Sequence, residues 1–350
     1  MAKNSKVDDK SFDPQKNSGV DLKDPVAETL KPMFELETKA QEDATIYDVI
    51  MIGGGPCSLT AAIYTCREDI KTVIYEKGVI GGMASITDWV DNYPGFPDGI
   101  SGMDLGENLR RQAERFGAMI EVNEVTNIQR LENHLRLSTI DGDKFAKSVL
   151  IGTGCDYKKV GVPGEEEYFA RGVHYCATCD GAFYRDKKLL VIGGGNSAVQ
   201  EALFLTRFAV HIDLLVRSTV KASDILIHEL EKSDKITVHE GITPIKIIGD
   251  GKFVKSVKAK ETTGKKELEF KTDGVFVFVG LRPNTGFLKD CPIDLDEIGF
   301  VKTDDKMQTS MKGVFAAGDV RSGATMQIAS AVGEGATAAL RIREYLENRN

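Results

Sequence analysis

Two cysteines and an acid stand together in Cys176-Ala177-Thr178-Cys179-Asp180. The C-x-x-C spacing lets the thiols close a small, reducible disulfide, so the first chemistry the chain offers is dithiol–disulfide exchange. A zinc site would ask for a second such pair. Cys57, Cys66, Cys155 and Cys291 are isolated, so no metal is expected, and these four read as small buried hydrophobes. His174 lies two residues ahead of Cys176. Protonated, it would lower a thiol pKa; the plainer reading is a partly buried side chain.

A redox disulfide needs a source of electrons, and the glycines point to one. The apolar run Tyr47–Ile52 has strand length and leads into Gly53-Gly54-Gly55-Pro56-Cys57-Ser58, then into helical spacing over Leu59–Arg67. The same phrase returns as Leu189–Ile192, Gly193-Gly194-Gly195-Asn196-Ser197-Ala198 and Val199–Arg207. Strand, glycine turn and helix form the unit that holds a dinucleotide pyrophosphate at a helix N-terminus. Gly53 and Gly193 make the turn. Gly55 and Gly195 let the backbone approach the phosphates, and Ser58 and Ala198 supply the small third position for helix–strand packing.

The copies differ where an adenosine ribose would sit. After the first, Thr72-Val73-Ile74-Tyr75 ends in Glu76, 21 residues past Gly55, placed to accept hydrogen bonds from ribose hydroxyls and to repel a 2′-phosphate. The second has Val216 at that place, followed by Arg217 and then Lys221. The first copy suits FAD, and the second leans towards NADPH over NADH.

Composition sets the frame. A chain of 350 residues predicts about two domains. Its 45 basic and 53 acidic side chains give a net charge of −8, which argues against a nucleic-acid surface. No apolar run approaches the roughly 18 residues of a membrane span. Six cysteines are too few for a secreted disulfide scaffold, and no signal-peptide pattern opens the chain, so a cytoplasmic location is expected. The segment before Tyr47 is rich in Lys, Asp, Glu, Ser and Asn without an apolar period, and is expected to be a disordered tail over residues 1–43.

With Gly81-Gly82, Asn92-Tyr93-Pro94-Gly95-Phe96 and Ala316-Ala317-Gly318-Asp319, these motifs resemble the low-molecular-weight thioredoxin reductases of bacteria and archaea, from about Tyr47 to the C-terminus. That family belongs to the FAD-dependent pyridine nucleotide-disulfide oxidoreductases. The resemblance implies an α/β fold of two doubly wound, Rossmann-like domains, the second inserted in the first. The expected bounds are 44–158 and 285–347 for the FAD-binding domain and 159–284 for the NAD(P)-binding domain carrying the C-x-x-C. Crossover strands are implied near Asp156–Gly161 and Arg282–Phe287.

Carried over by residue, the resemblance assigns Cys179 to face the flavin, Cys176 to attack the partner's disulfide, and Asp180 to shuttle protons. Thiolate chemistry gives the last role its reason, because each electron pair passed to a disulfide has to be matched by protons. FAD is implied at Gly53, Gly55, Pro56, Ser58, Glu76, Gly82, Asn92, Asp319 and Gln327. NAD(P) is implied at Gly193, Gly195, Asn196, Ser197, Ala198, Arg217 and Lys221. Thioredoxin and a second copy of the chain are the implied partners. In that family the nucleotide loop and the disulfide share one domain, which rotates to present each in turn to the flavin, so the crossover strands are expected to be hinges.

Four positions, at two places, depart from the family. Its cluster for the 2′-phosphate reads His-Arg-Arg, three residues, then Arg; here Leu215-Val216-Arg217 and Lys221 stand instead, which leaves NADH or a protein donor, such as reduced ferredoxin or a flavin protein, as alternatives. Met83 follows the glycine pair where Gln is common. A flavin-dependent NAD(P)H oxidase or ferredoxin reductase is the more distant rival, since neither needs the cysteine pair.

Overall fold

A computed structural model describes residues 45–349 apart from 88 and 265; the expected tail over residues 1–43 lies outside the described residues. The chain opens on β1 (Ile46–Ile52), whose last four residues are buried. Their side chains alternate between two cores: Val49 and Met51 pack with the helices on one face, Ile50 and Ile52 with apolar residues on the other. Helix α1 (Pro56–Cys66) begins at once, earlier than the apolar spacing suggested, because Pro56 at its first turn needs no hydrogen-bond partner and already has a helical φ. Next come β2 (Thr72–Glu76), the short α2 (Gly82–Ser85) and the longer α3 (Gly102–Arg115), whose cap is Ser101 accepting the Asp104 N–H at 3.0 Å. Strands β3 (Met119–Val122), β4 (Val125–Arg130), β5 (Leu135–Thr139) and β6 (Gly142–Ile151) complete the first part of a sheet. Strands β3, β2, β1 and β6 are parallel neighbours in that order, and β4 and β5 add an antiparallel hairpin along the first half of β6.

The chain then leaves through β7 (Cys155–Tyr157) and builds a second sheet. Strand β8 (Val173–His174) precedes the cysteine helix α4 (Ala177–Asp180). Strand β9 (Lys188–Ile192), helix α5 (Asn196–Leu205), strand β10 (His211–Val216), helix α6 (Asp224–Glu231) and strand β11 (Ile236–Glu240) follow. An antiparallel layer of β12 (Ile242–Gly249), β13 (Val254–Glu261) and β14 (Glu267–Lys271) covers one face. Its Ile247, Val254, Val257 and Ala259 share a core with Leu190, Ile192 and Val275. Strand β15 (Gly274–Val277) completes the parallel order β11-β10-β9-β15-β8. On the other face Val199, Ala202 and Leu205 of α5 pack on Leu189, Val191 and Phe276.

The return runs through β16 (Leu281–Pro283), antiparallel to β7, into β17 (Val314–Ala316), which joins the first sheet beside the second half of β6. Helix α7 (Ile328–Glu347) then closes over α1. The fold is therefore two parallel α/β sheets, the second inserted between β6 and β17 of the first, as expected. The β7–β16 pair overlaps the stretches expected for the crossovers. Among the described residues no helix is long and apolar enough to cross a membrane, and no cluster of three or more His, Cys, Asp and Glu is arranged to hold a metal ion.

The contact of α7 with α1 depends on Gly335, where a Cβ would stand 2.2 Å from the Cys57 carbonyl oxygen. Gly333, a half-turn away, has no atom within 4 Å of its would-be Cβ. Gly335→Ala is expected to cost about 1–3 kcal/mol by forcing the helices apart. Gly333→Ala should leave the urea midpoint unchanged or raise it, through better helix propensity. Equal midpoints for the two variants would refute this account of the helix contact.

Candidate active site: a disulfide on the wall of a glycine-lined cleft

Cys176 and Cys179 are joined as a disulfide with their Cα atoms 5.3 Å apart. Cys176 is the N-cap of α4, and its sulfur accepts the Cys179 N–H at 3.1 Å. Both cysteines line a cleft of 1670 Å³ together with Gly53, Gly55, Glu76 and Asp319. That volume exceeds the roughly 300–1,000 Å³ of a common small-molecule pocket and suits an extended dinucleotide. Gln327, the N-cap of α7, donates from Nε2 towards the Cys176 sulfur at 3.9 Å, while its Oε1 accepts from Asn92 Nδ2 at 3.1 Å. Gln327 thus links the Cys176 sulfur to Asn92, joining three distant stretches of chain.

The acid beside the pair has partners that the linear motif could not show. Asp180 Oδ2 lies 3.2 Å from His174 Nδ1, and His174 Nε2 lies 2.7 Å from the Tyr184 hydroxyl. His174 is buried at the end of β8, so the plainer expectation for it was incomplete: it is buried, but it joins Asp180 to Tyr184.

Most of the residues expected to hold FAD converge on this cleft. Gly53, Gly55, Pro56, Glu76, Gly82, Asn92, Asp319 and Gln327 all line it, as does Met83. Helix α1 has no side-chain cap, so backbone N–H groups of its first turn remain free, and no atom lies within 4 Å of where a Cβ on Gly55 would stand. An uncapped helix end behind an open glycine is a cradle for phosphate. Glu76 is held firmly: its carboxylate accepts the Gly54 and Gly78 N–H groups, each at 2.6 Å. Ser58 sits beneath the site, fully buried, and a Cβ on Gly152 would come within 2.2 Å of its hydroxyl. It is the small packing residue of the loop and does not line the cleft.

Asp319 is in an unusual state. Burial, and then the nearby Glu334 carboxylate, push its pKa up to about 6. Glu334 itself accepts from the Gly318 N–H at 2.8 Å and pairs with Arg321 at 2.6 Å. This pair was not found from the sequence, where Glu334 is one acid within a small-residue helix. The four isolated thiols all have pKa values raised chiefly by burial, that of Cys155 to about 12, so none is poised to react. Cys57 and Cys155 are buried as expected; Cys66 and Cys291 are only partly so.

The second glycine loop is elsewhere. Gly193, Gly195, Asn196, Ser197 and Ala198 do not line the disulfide cleft. Helix α5 also lacks a side-chain cap, and Gly195 is as open as Gly55. Gly193 is closely packed: a Cβ there would lie 2.7 Å from that of Ala198 and 2.4 Å from the Phe278 carbonyl oxygen. Asn196 Oδ1 accepts the Ser223 N–H at 2.8 Å, which ties the loop to the segment before α6. The Lys221 N–H donates to the Gly194 oxygen at 2.6 Å, and the side chains of Arg217 and Lys221 are exposed beside the glycines. Glu240 at the end of β11 accepts the Val220 N–H at 2.7 Å, bringing an acid to the same loop that spacing along β10 could not reveal.

The model of the pyridine nucleotide-disulphide oxidoreductases matches residues 47–335, a span that contains both glycine loops and the disulfide. The chain belongs to that family. Among curated relatives, a thioredoxin reductase of Treponema pallidum is 40% identical over 304 residues, covering 87% of this chain and 98% of the relative. One from Bacillus subtilis is 39% identical over 303 residues, covering 86% and 95%. Among solved structures, thioredoxin reductase from Streptococcus pyogenes superposes on this oxidoreductase with a TM-score of 0.83 at 40% identity, covering 86% of this chain and 98% of the other. The Lactococcus lactis enzyme in its FR conformation gives 0.59 at 41% identity, covering 86% and 99%.

The raised pKa of Asp319 has a consequence for stability. A carboxyl whose folded pKa lies above its unfolded value binds protons more tightly when folded, so its cost is small at pH 4, grows as pH rises to about 6 and is complete above that. Asp319→Asn is therefore expected to raise the melting temperature of flavin-free protein at pH 8 and to leave it unchanged at pH 4, as read by thermal scans. An equal shift at both pH values would contradict the assignment.

Proposed function

We propose that this oxidoreductase is a thioredoxin reductase, passing electrons from a nicotinamide dinucleotide through FAD to the Cys176–Cys179 disulfide and on to thioredoxin. The observation that carries the reading is the disulfide itself, lying on the wall of the same cleft as the Gly53–Ser58 loop and Asp319. FAD would lie along Gly53, Gly55, Pro56, Gly82 and Glu76, with Asp319, Asn92 and Gln327 at its other contacts, and would supply the electron pair. Cys179 takes the flavin-facing role and Cys176 attacks the disulfide of thioredoxin, with Asp180 moving the proton. The reductase works as a cytoplasmic homodimer.

The nucleotide is held by Gly193, Gly195, Asn196, Ser197 and Ala198, at the uncapped start of α5. NADPH is the donor we favour, with Arg217 and Lys221 as the cations for its 2′-phosphate. The nearness of Glu240 to that loop limits the discrimination against NADH. A protein donor such as reduced ferredoxin is the second reading, favoured by the loss of the family's other cations at Leu215 and Val216.

The disulfide is at the cleft while the nucleotide loop is not, which supports rotation of the inserted domain, bounded at 159–284, about β7 and β16. The solved structures support it too: at nearly equal identity, the S. pyogenes and L. lactis enzymes score 0.83 and 0.59. Sequence divergence does not account for that gap, whereas a different placement of one domain does.

Cys176→Ser or Cys179→Ser should abolish thioredoxin reduction and leave bound FAD and its reduction by nucleotide intact; turnover retained in both variants would sink the reading. In anaerobic flavin bleaching, Arg217→Ala should raise the NADPH requirement about tenfold, the worth of one charge-assisted phosphate contact, and leave NADH unchanged. Bleaching by reduced ferredoxin alone would replace NADPH with the protein donor.

A further inference from the structure

His174 and Tyr184 are fixed with more polar precision than packing requires. The His174 ring lies 5.2 Å from the Phe276 ring, stacked, and 5.3 Å from the Tyr184 ring, edge-on, and is 8% exposed. A carboxylate has no hydrogen to donate, so Nδ1 donates to Asp180 Oδ2, 3.2 Å away. The Tyr184 hydroxyl, 2.7 Å from Nε2, accepts from Nε2–H when the ring is charged and goes on accepting when the ring has given up its Nδ1 proton. Its own proton is secure, because burial raises the phenol pKa and Asp180 and Asp273 raise it further. These three groups, Asp180 from α4, Tyr184 from the turn after it and Asp273 from the turn before β15, are the titratable ones facing the ring or its partner. The ring can therefore give up its Nδ1 proton in a buried place and keep its hydrogen bond to Tyr184.

We propose that His174 is a positioning residue acting through Asp180: the pair holds the proton that the opened disulfide takes up, and recovers it when the dithiol is oxidised. Imidazoles exchange protons between about pH 5 and 8, where a lone carboxylate stays ionised. Breaking the Cys176–Cys179 bond takes two electrons, given up by the reduced flavin, and leaves two sulfur anions. The charged ring passes its Nδ1 proton to the Asp180 carboxylate, which hands it on to Cys179 and leaves Cys176 as the thiolate. The ring is left neutral with its remaining proton on Nε2 against the Tyr184 hydroxyl until the pair recovers its proton. When Cys176 attacks the thioredoxin disulfide, a mixed disulfide forms; Cys179 gives its proton to the pair and displaces thioredoxin, restoring the Cys176–Cys179 bond.

The proposal rests on the thioredoxin reductase reading, so the test has an arm that needs neither nucleotide nor thioredoxin: the rate at which dithiothreitol opens the disulfide of oxidised holoenzyme, followed by mass after alkylation. His174→Phe keeps the ring packing and loses both hydrogen bonds; it should slow this opening and lower kcat for thioredoxin about tenfold, less than the roughly hundredfold or more of a general acid removed outright because Asp180 remains, with KM unchanged. Its pH profile should differ in shape from that of the wild-type protein. His174→Asn keeps a donor for Asp180 without a titratable proton, and should recover no more than about threefold of that loss. Wild-type rates and pH profile in His174→Asn would overturn the relay and leave a structural hydrogen bond in its place. If His174→Phe does not fold, Tyr184→Phe carries the test, and unchanged rates there would overturn it. A wild-type protein that fails to reduce thioredoxin refutes the enzyme reading, while the dithiothreitol arm still decides the relay.

Discussion

Strands β8 and β9 end on the same edge of one parallel sheet, with only β15 between them. The disulfide that follows β8 and the glycine loop that follows β9 are thus carried by a single packed body, a few strand spacings of about 4.8 Å apart. Neither can be moved to the flavin-type cleft without moving the other. The glycine-loop side of the cleft is built by the other sheet, and the chain crosses between the sheets at β7 and β16, three residues each. That pair is thinly held at its surface: Arg282 reaches Asp156 at 3.4 Å in an exposed ion pair, which contributes little. A joint so slight between two well-packed sheets is where a rigid-body rotation would cost least.

The same constraint explains which parts of the site the sequence made legible. Each glycine loop is a local device, with turn, close approach and helix start within six residues, so its pattern survives in one dimension. Glu76 was legible for a related reason, since the end of the neighbouring strand falls at a fixed distance along a βαβ unit. The contacts of Asp180 were not. His174 and Tyr184 flank the C-x-x-C closely in sequence, yet nothing in their spacing says that a two-residue strand and a single 3₁₀ turn fold one onto the other. Glu334 and Glu240 come from a distant helix and from a strand paired laterally with β10, and periodicity along one element carries no information about the neighbour across it.

The antiparallel layer of β12 to β14 was missed at the same level. Its strands show alternation, as in Glu267–Lys271 where exposed and half-buried residues take turns, but their destination, the face of the second sheet opposite α5, depends on that sheet already being formed. The bounds of α1 and α5 were shifted towards the glycines for the opposite reason. Apolar spacing marks only the buried stripe of a helix, whereas Pro56 and Asn196 start the helical backbone before that stripe begins.

What remains is why such a site is tolerated. Helices α1 and α5 forgo side-chain caps, each of which would contribute about 1 kcal/mol. Asp319 is buried beside another acid, and the orientation of that second acid depends on the Arg321 ion pair. These are local costs in the protein alone that a bound dinucleotide would offset, since phosphates can satisfy free N–H groups at a helix start and a hydroxyl donor can satisfy a buried carboxylate. The surrounding core can carry the cost because the last four residues of β1 and of β6 and all of β17 are buried and α7 is clamped directly on α1. The polar irregularities therefore collect where the cleft is, and the regular apolar packing lies everywhere around it. That division is itself the strongest structural argument that the cleft is built to be filled.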